Sequence, residues 1–398
     1  MGHGHSHAHR AVDVRTSGPV TRLLLGLLAL TAIATLIGVG VLWPSGERPM
    51  TPYSADGVTY PHGEVLRVGD ACPVITEESA EFPEVCDDVD VRLQDDAGTV
   101  SDLRVGPGVV EALQVGDPVT LVAIPQEGSD EPNFGWVGVD RKPPLGWLTL
   151  AFLLVVALIA RVRGVLAIVG LVIAGLVIGY FMLPALLAGE SGLAVALVGS
   201  TAIMFVVLYL AHGPSVRTST ALAGTLIGLL ITAGIGLLAI HTTRLTGLGD
   251  ESSLFLRNQA DQLDFRGLLT CAVIVAGLGV LNDVTITQSS SVWELREAAP
   301  HLTRRQLFAS GMRIGRDHIG STIYTIVFAY AGTAMATLLL ISLYDRPLID
   351  VLSDEAIAEE VARTLASAIG LVLAVPATTA IAAATVAPAV RGAPPDGT

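Results

Sequence analysis

Charge is scarce in this 398-residue sequence: 15% of positions are Asp, Glu, Lys or Arg, where a soluble chain of this length carries about 25%. That shortage argues against a single water-soluble globular fold. Disorder is excluded more firmly, because disordered chains are polar and charge-rich and 51% of these residues are hydrophobic. Lysine is nearly missing. Lys142 stands alone beside 22 arginines, which reads as genomic base composition rather than chemistry. Basic residues are outnumbered 37 to 23, a formal net charge of −14, and that excludes a nucleic-acid-binding surface. Aromatics make up only 5%, so the apolar bulk is Leu, Val, Ile and Ala, the composition of membrane helices. Mean hydropathy is +0.62. Among catalytic signatures, the HExxH pair, the GxSxG elbow and the phosphate-binding loop are all missing, and no enzyme activity is expected.

What is present is a series of long apolar runs. A bilayer core about 30 Å thick takes roughly 20 apolar residues as helix. Eight segments qualify or nearly so: about 20–43, 145–160, 164–187, 192–212, 216–241, 267–283, 319–343 and 364–388. The expected fold is therefore a polytopic α-helical membrane protein of about eight transmembrane helices. Ala32-Ile33-Ala34 looks like a signal-peptidase site, but the apolar run continues to Trp43, which favours an uncut anchor. Arg and Lys in short loops orient the chain with the N-terminus in the cytoplasm, and an even number of spans returns the C-terminus there. In that arrangement only six carboxylates lie inside (Asp13, Asp283, Glu294, Glu297, Asp317 and Asp396), and the outer surface is strongly anionic. The expected location is the bacterial plasma membrane.

Composition changes abruptly after Trp43. Residues 44–144 hold 20 carboxylates and six basic residues. Period-2 stretches at 63–68, 89–93, 119–124 and 136–139 read as strands, with a hairpin turn at Asp95-Asp96-Ala97-Gly98 and one short helix at 108–113. A small extracytoplasmic all-β domain is expected between helices 1 and 2, a five-stranded barrel of the OB or SH3-like kind. Its acidity argues against nucleic acid and for docking on the membrane domain, on cell-wall material or on a partner protein. Cys72 and Cys86 lie 14 positions apart in this segment, where an oxidising compartment permits a disulfide. Glu77, Glu78, Glu81, Glu84, Asp87 and Asp88 form an acidic loop that is either solvated or a collecting point for a divalent cation. Cys271, inside the sixth apolar run, reads as a small buried apolar residue.

The first 19 residues read as a disordered cytoplasmic tail carrying His3, His5, His7 and His9. Alternate imidazoles spaced by Gly, Ser and Ala suit an adventitious Zn, Ni or Cu ion, but such a tail carries no fixed geometry. No resident cofactor is expected. Gly224 and Gly228, four apart, read as a close helix contact. After the fourth run, His212-Gly-Pro-Ser215 fits a break followed by a new helix.

Polar residues concentrate at the cytoplasmic ends. Asn282-Asp283 interrupts the sixth run, followed by Thr285, Thr287, Gln288 and Ser289 to Ser291. Two readings of Asp283 stand. Either a helix broken near Gly277 and Gly279 carries an intramembrane carboxylate, as transporters do, or Asp283 caps the next cytoplasmic helix. Thr303-Arg-Arg-Gln306 is a capping box that starts a helix in the cytoplasmic loop 284–318. That helix leads to Arg313, Arg316, Asp317 and His318 at the membrane boundary, and then to Thr322. A carboxylate, arginines and a histidine grouped there suit anion binding, proton conduction or a conformational lock.

These residues carry a resemblance. Asp264-Phe-Arg-Gly-Leu-Leu, Gly277-Leu-Gly-Val-Leu-Asn-Asp-Val284, Ser289-Ser-Ser-Val-Trp-Glu-Leu295, Ser310-Gly-Met-Arg-Ile-Gly-Arg-Asp-His-Ile-Gly320 and Ala329-Tyr-Ala-Gly332 resemble the YibE/F family of bacterial multi-pass membrane proteins, over roughly residues 58–345. Relatives often carry Asn before Thr where this chain has Tyr324-Thr325, so no role of that amide carries over. The resemblance implies fold and location and supplies no mechanism. The functional expectation is a permease-like protein whose ion or substrate path includes Asn282, Asp283, Gln288, Arg313, Arg316, Asp317, His318 and Thr322. The alternative is a non-transporting envelope scaffold or sensor whose arginine-rich loop recruits a cytoplasmic partner.

Overall fold

The computed structural model describes residues 16–44, 57–70, 88–94, 98–105, 108–126, 132–260, 262–343 and 347–387. The histidine tract, Cys72, Cys86 and the acidic run from Glu77 to Asp87 lie outside the described residues. Two compact units divide the chain: one within residues 50–158, the other combining 1–49 with 159–398.

The smaller unit holds β1 (His62–Val68), β2 (Asp88–Leu93), β3 (Thr99–Arg104), β4 (Pro118–Ile124) and β5 (Asn133–Val139). They form one antiparallel sheet in the order β3-β2-β1-β4-β5. Alternation dictates which face is buried. Val65, Val89, Val91, Val119 and Leu121 point inward and are fully buried. Register shifts within the β1–β2, β2–β3 and β4–β5 ladders bend the sheet, and β3 approaches β5. Among the described residues no ladder joins those two strands, so the sheet is curled and open. Strand β3 carries little alternation and only one buried residue, Leu103, which is why sequence pattern alone leaves it unnamed. The short helix expected at 108–113 is one 3-10 turn, Val110–Ala112.

One charged cluster closes on itself on this sheet. Arg67 donates to Asp88 at 2.5 Å, to Asp90 at 2.7 Å and to Asp102 at 3.2 Å. Hydrogen bonds to Asp90 and then Asp88 tighten the hold of Arg67 on its proton. The same Arg67 contact, followed by the Asp102 backbone N–H, holds the Asp90 carboxyl below its ordinary range.

The helices are α1 (Gly18–Val41), α2 (Lys142–Val177), α3 (Leu183–Leu187), α4 (Gly192–His212), α5 (Val216–Thr243), α6 (Glu251–Arg257), α7 (Phe265–Ala298), α8 (Arg304–Thr333), α9 (Met335–Ser342), α10 (Leu348–Leu352) and α11 (Glu355–Thr385). Between α2 and α3 runs a π-helical turn, Ile178–Met182, so helix extends over 46 residues from Lys142 to Leu187. Arg161 breaks it, at φ 53° and ψ −136°, a backbone region that a Cβ resists. Six helical stretches among the described residues are long and apolar enough to cross a membrane. They become seven if α8 and α9, bent by 67°, form one span. This is a multi-pass membrane protein. The count reaches the expected eight only if 142–187 supplies two spans.

Helices α5, α7 and α11 form the centre of the larger unit, with α4 against α7 and α8 against α7 and α11. Small residues permit this approach. A Cβ on Gly224 would strike Thr378, one on Gly228 would meet Leu281 and Ala374, and one on Gly370 would strike Thr232. The seam is lined with buried hydroxyls. Thr225 and Thr285 share a 2.6 Å hydrogen bond between α5 and α7, and Thr285 also donates to the Leu281 carbonyl. Cys271 is buried, as its position in the apolar run implies. The chain ends of the unit meet: Ser17 N–H donates to the Thr385 carbonyl at 2.7 Å.

Candidate functional site

Helix α7 corrects the expectation around Asp283. It runs unbroken for 34 residues, about 51 Å at 1.5 Å per residue, so neither a break at Gly277 or Gly279 nor a cap at Asp283 is present. A helical glycine costs about 1 kcal/mol relative to Ala. Burial of α7 between α4, α5 and α11 outweighs that cost, and Gly277 packs directly against Ser367. The helical loop expected at 284–318 consists of the second half of α7 and the first half of α8, joined through residues 299–303. The capping box is present as read: Thr303 accepts from the Gln306 N–H, and the Gln306 side chain accepts from the Thr303 N–H.

The second half of α7 floors an open cleft of about 720 Å³. Asp283, Thr287, Ser290, Ser291 and Glu294 line it from α7, Arg163 from α2, His212 from the end of α4 and Arg217 from the start of α5. The position of Arg217 follows from local sequence. Gly213 ends α4 with φ 75°, Ser215 caps α5 by accepting from the Thr218 N–H, and the break between them presents His212 and Arg217 together. Arg217 reaches Glu294 at 3.8 Å. Asp283, with its side chain 68% exposed, lies 3.9 Å from His318 Nε2, an atom without a hydrogen-bond partner.

The other expected site residues divide into two groups. Gln288 is fully buried and donates to the Gly311 carbonyl at 2.8 Å and to Thr379 Oγ1 at 2.7 Å, tying α7 to α8 and α11. Thr322 is buried and donates to the His318 carbonyl. Gln288 ties three helices together, whereas the Thr322 bond stays within α8. Asn282 is half-buried with its side-chain oxygen unpartnered. Arg313, Arg316 and Asp317 are exposed and do not line the cleft; Arg313 donates to its neighbour Ser310. Of the serine run, Ser290 lines the cleft. Ser289 donates to the Arg217 carbonyl and Ser291 to the Thr287 carbonyl. Sequence reasoning counted Arg163 and Arg217 only as topological charge. Their flanking of the His212-Gly-Pro-Ser215 break was the signal that they share a site.

The cleft, with Asp283, Thr287, Ser290 and Glu294 on α7, falls in the part of the chain that decides its family. Residues 148–388 match the model of the YibE/F-like protein family. The chain belongs to that family. No curated protein and no solved structure matches it. The YibE/F-like match begins beyond the β sheet, so the family region comprises α4 to α11 and most of the helical stretch before them, and the whole cleft lies within it.

Proposed function

We propose that this YibE/F-like protein is a permease of the plasma membrane and that the cleft beside Asp283 is its cytoplasmic solute entrance. The observation that carries the reading is the Asp283–His318 pair at the margin of an open polar cleft cut into apolar helices. A carboxylate on a membrane-spanning helix that faces an open polar cleft is characteristic of solute and ion paths. The protein acts without catalysis and without a resident cofactor.

Topology supports the same reading. The backbone hydrogen bond from Ser17 to Thr385 joins the start of α1 to the end of α11, which favours an even number of crossings. As one helix, residues 142–187 would be about 69 Å long, over twice the bilayer core, and Arg161 interrupts them. Counting them as two spans and α8 with α9 as one gives eight. Positive-inside bias assigns the linked ends and the cleft to the cytoplasm. The sheet is then extracytoplasmic, and its strand order, with the 3-10 turn between β3 and β4, agrees with an OB-like arrangement.

The test is uptake by proteoliposomes, screened with small anionic, cationic and neutral solutes. One class should accumulate, and Asp283→Asn should abolish uptake while the protein stays folded. Normal uptake in that variant removes the cleft from the path. Absence of uptake for every class favours a scaffold instead. The exposed Arg304, Arg305, Arg313 and Arg316 on α8 suit that second reading, in which crosslinking from α8 captures one specific cytoplasmic protein.

A further inference from the structure

Two arginines and a histidine converge in the cleft from three separate segments. Arg163 comes from the helix that follows the Arg161 break, His212 from the last residue of α4 and Arg217 from the first turn of α5. All three line the one cleft. Like charges brought together repel unless solvent or an anion lies between them. Two carboxylates, Asp283 and Glu294, line the same cleft, but neither pairs with Arg163. Glu294 reaches only Arg217, at a loose 3.8 Å, and Asp283 has His318 beside it at 3.9 Å. Arg163 is exposed and has no ion-pair partner among the described residues. Thr287 and Ser290 add hydroxyl donors on the facing wall, and the start of α5 adds the positive end of a 28-residue helix. A volume of about 720 Å³ falls within the range of small-molecule sites.

We infer that the cleft is an oxyanion site, in which Arg163, His212 and Arg217 hold a phosphate group against the hydroxyls of Thr287 and Ser290. Guanidinium forks match phosphate oxygens two at a time, which suits arginine here. The inference rests on the reading of the cleft as the solute entrance and names the substrate class. The phosphate belongs either to a soluble anion or to a lipid headgroup, since the cleft opens at the bilayer margin.

Full-length protein in a nonionic detergent, titrated calorimetrically with inorganic phosphate against sodium chloride of equal ionic strength, provides the first arm. Saturable binding is expected, weakened about tenfold or more by Arg163→Gln and partly restored by Arg163→Lys. Glu294→Gln should tighten binding by a few fold, because it removes an opposing charge. Nanodiscs of phosphatidylglycerol against phosphatidylcholine provide the second arm. A thermal midpoint raised only by phosphatidylglycerol, and lost in Arg163→Gln, identifies the headgroup as the source. Either response supports the site. It is overturned if neither probe binds, or if both act equally on Arg163→Gln, Arg217→Gln and the unaltered protein. The two readings fail separately. Phosphate binding without uptake of any solute removes the permease and keeps the anion site; uptake of cations alone, without phosphate binding, removes the anion site and keeps the permease.

Discussion

Gln288 and Asp283 sit five positions apart on one helix and have opposite surroundings. Gln288 belongs to the α7–α8–α11 seam, where the amide donates to Gly311 and Thr379 and is sealed from solvent. Asp283 belongs to the cleft, mostly exposed, with one loose neighbour in His318. Both interrupt an apolar sequence. The seam shows polar atoms used up by packing, and the cleft shows polar atoms left available. Satisfaction of hydrogen bonds, rather than polarity, separates the structural residue from the functional candidate.

That contrast breaks if seam and cleft substitutions behave alike. The largest effect is expected from Gln288→Ala, which leaves the Gly311 carbonyl and Thr379 unpaired and opens a hole between three helices. Loss of about 3 kcal/mol should appear as a lowered denaturation midpoint in detergent. Gly370→Val should follow at about 1–3 kcal/mol, because the added side chain collides with Thr232; an unchanged midpoint would show that α5 and α11 tolerate separation. Thr303→Ala should cost about 1 kcal/mol through loss of the capping box, read as faster amide exchange in the first turn of α8.

The β sheet sharpens the comparison with a closed cluster that titrates. Asp90 is held ionised by Arg67, so its contribution is full above the unfolded carboxylate value, near 3.9, and fades as pH falls through the lower folded value. Melting of this unit should drop on acidification below about pH 4, and Arg67→Gln should flatten that dependence. Smallest of all is the expected stability change for Asp283→Asn, within about 0.5 kcal/mol for an exposed group. A large loss there would move Asp283 from the cleft into the seam class.

Much of the fold is legible because local patterns dictate it. Alternating Val and Leu set the inward face of β1 and β4, Thr303 and Gln306 announce the start of α8, and Ser215 after Pro214 announces α5. Spacing gives no hint that Gln288 meets Thr379, 91 residues away, because that contact depends on which helices are neighbours. Asp283 stands out in the sequence, but both readings of it, a broken span and a cap of the next helix, give way to one continuous helix. Local glycine propensity is weak against the burial of α7 on three sides. Arg313, Arg316 and Asp317 carried the strongest motif, yet they face away from the cleft, since a helix disperses neighbours in sequence around its axis. Arg163 and Arg217 were overlooked because charge near a membrane has a sufficient topological explanation.

Arg161 interrupts a backbone ladder that would otherwise tie Lys142 to Leu187. Helix propagation is cooperative, and each amide relies on the carbonyl four residues earlier. A residue outside the helical region ends that dependence, so the stretches on either side of it form and fray as separate elements. A hydrogen-exchange profile should therefore show two protected blocks with a minimum at 161–164. Glycine at 161, free of the Cβ, should deepen protection on both sides without merging them.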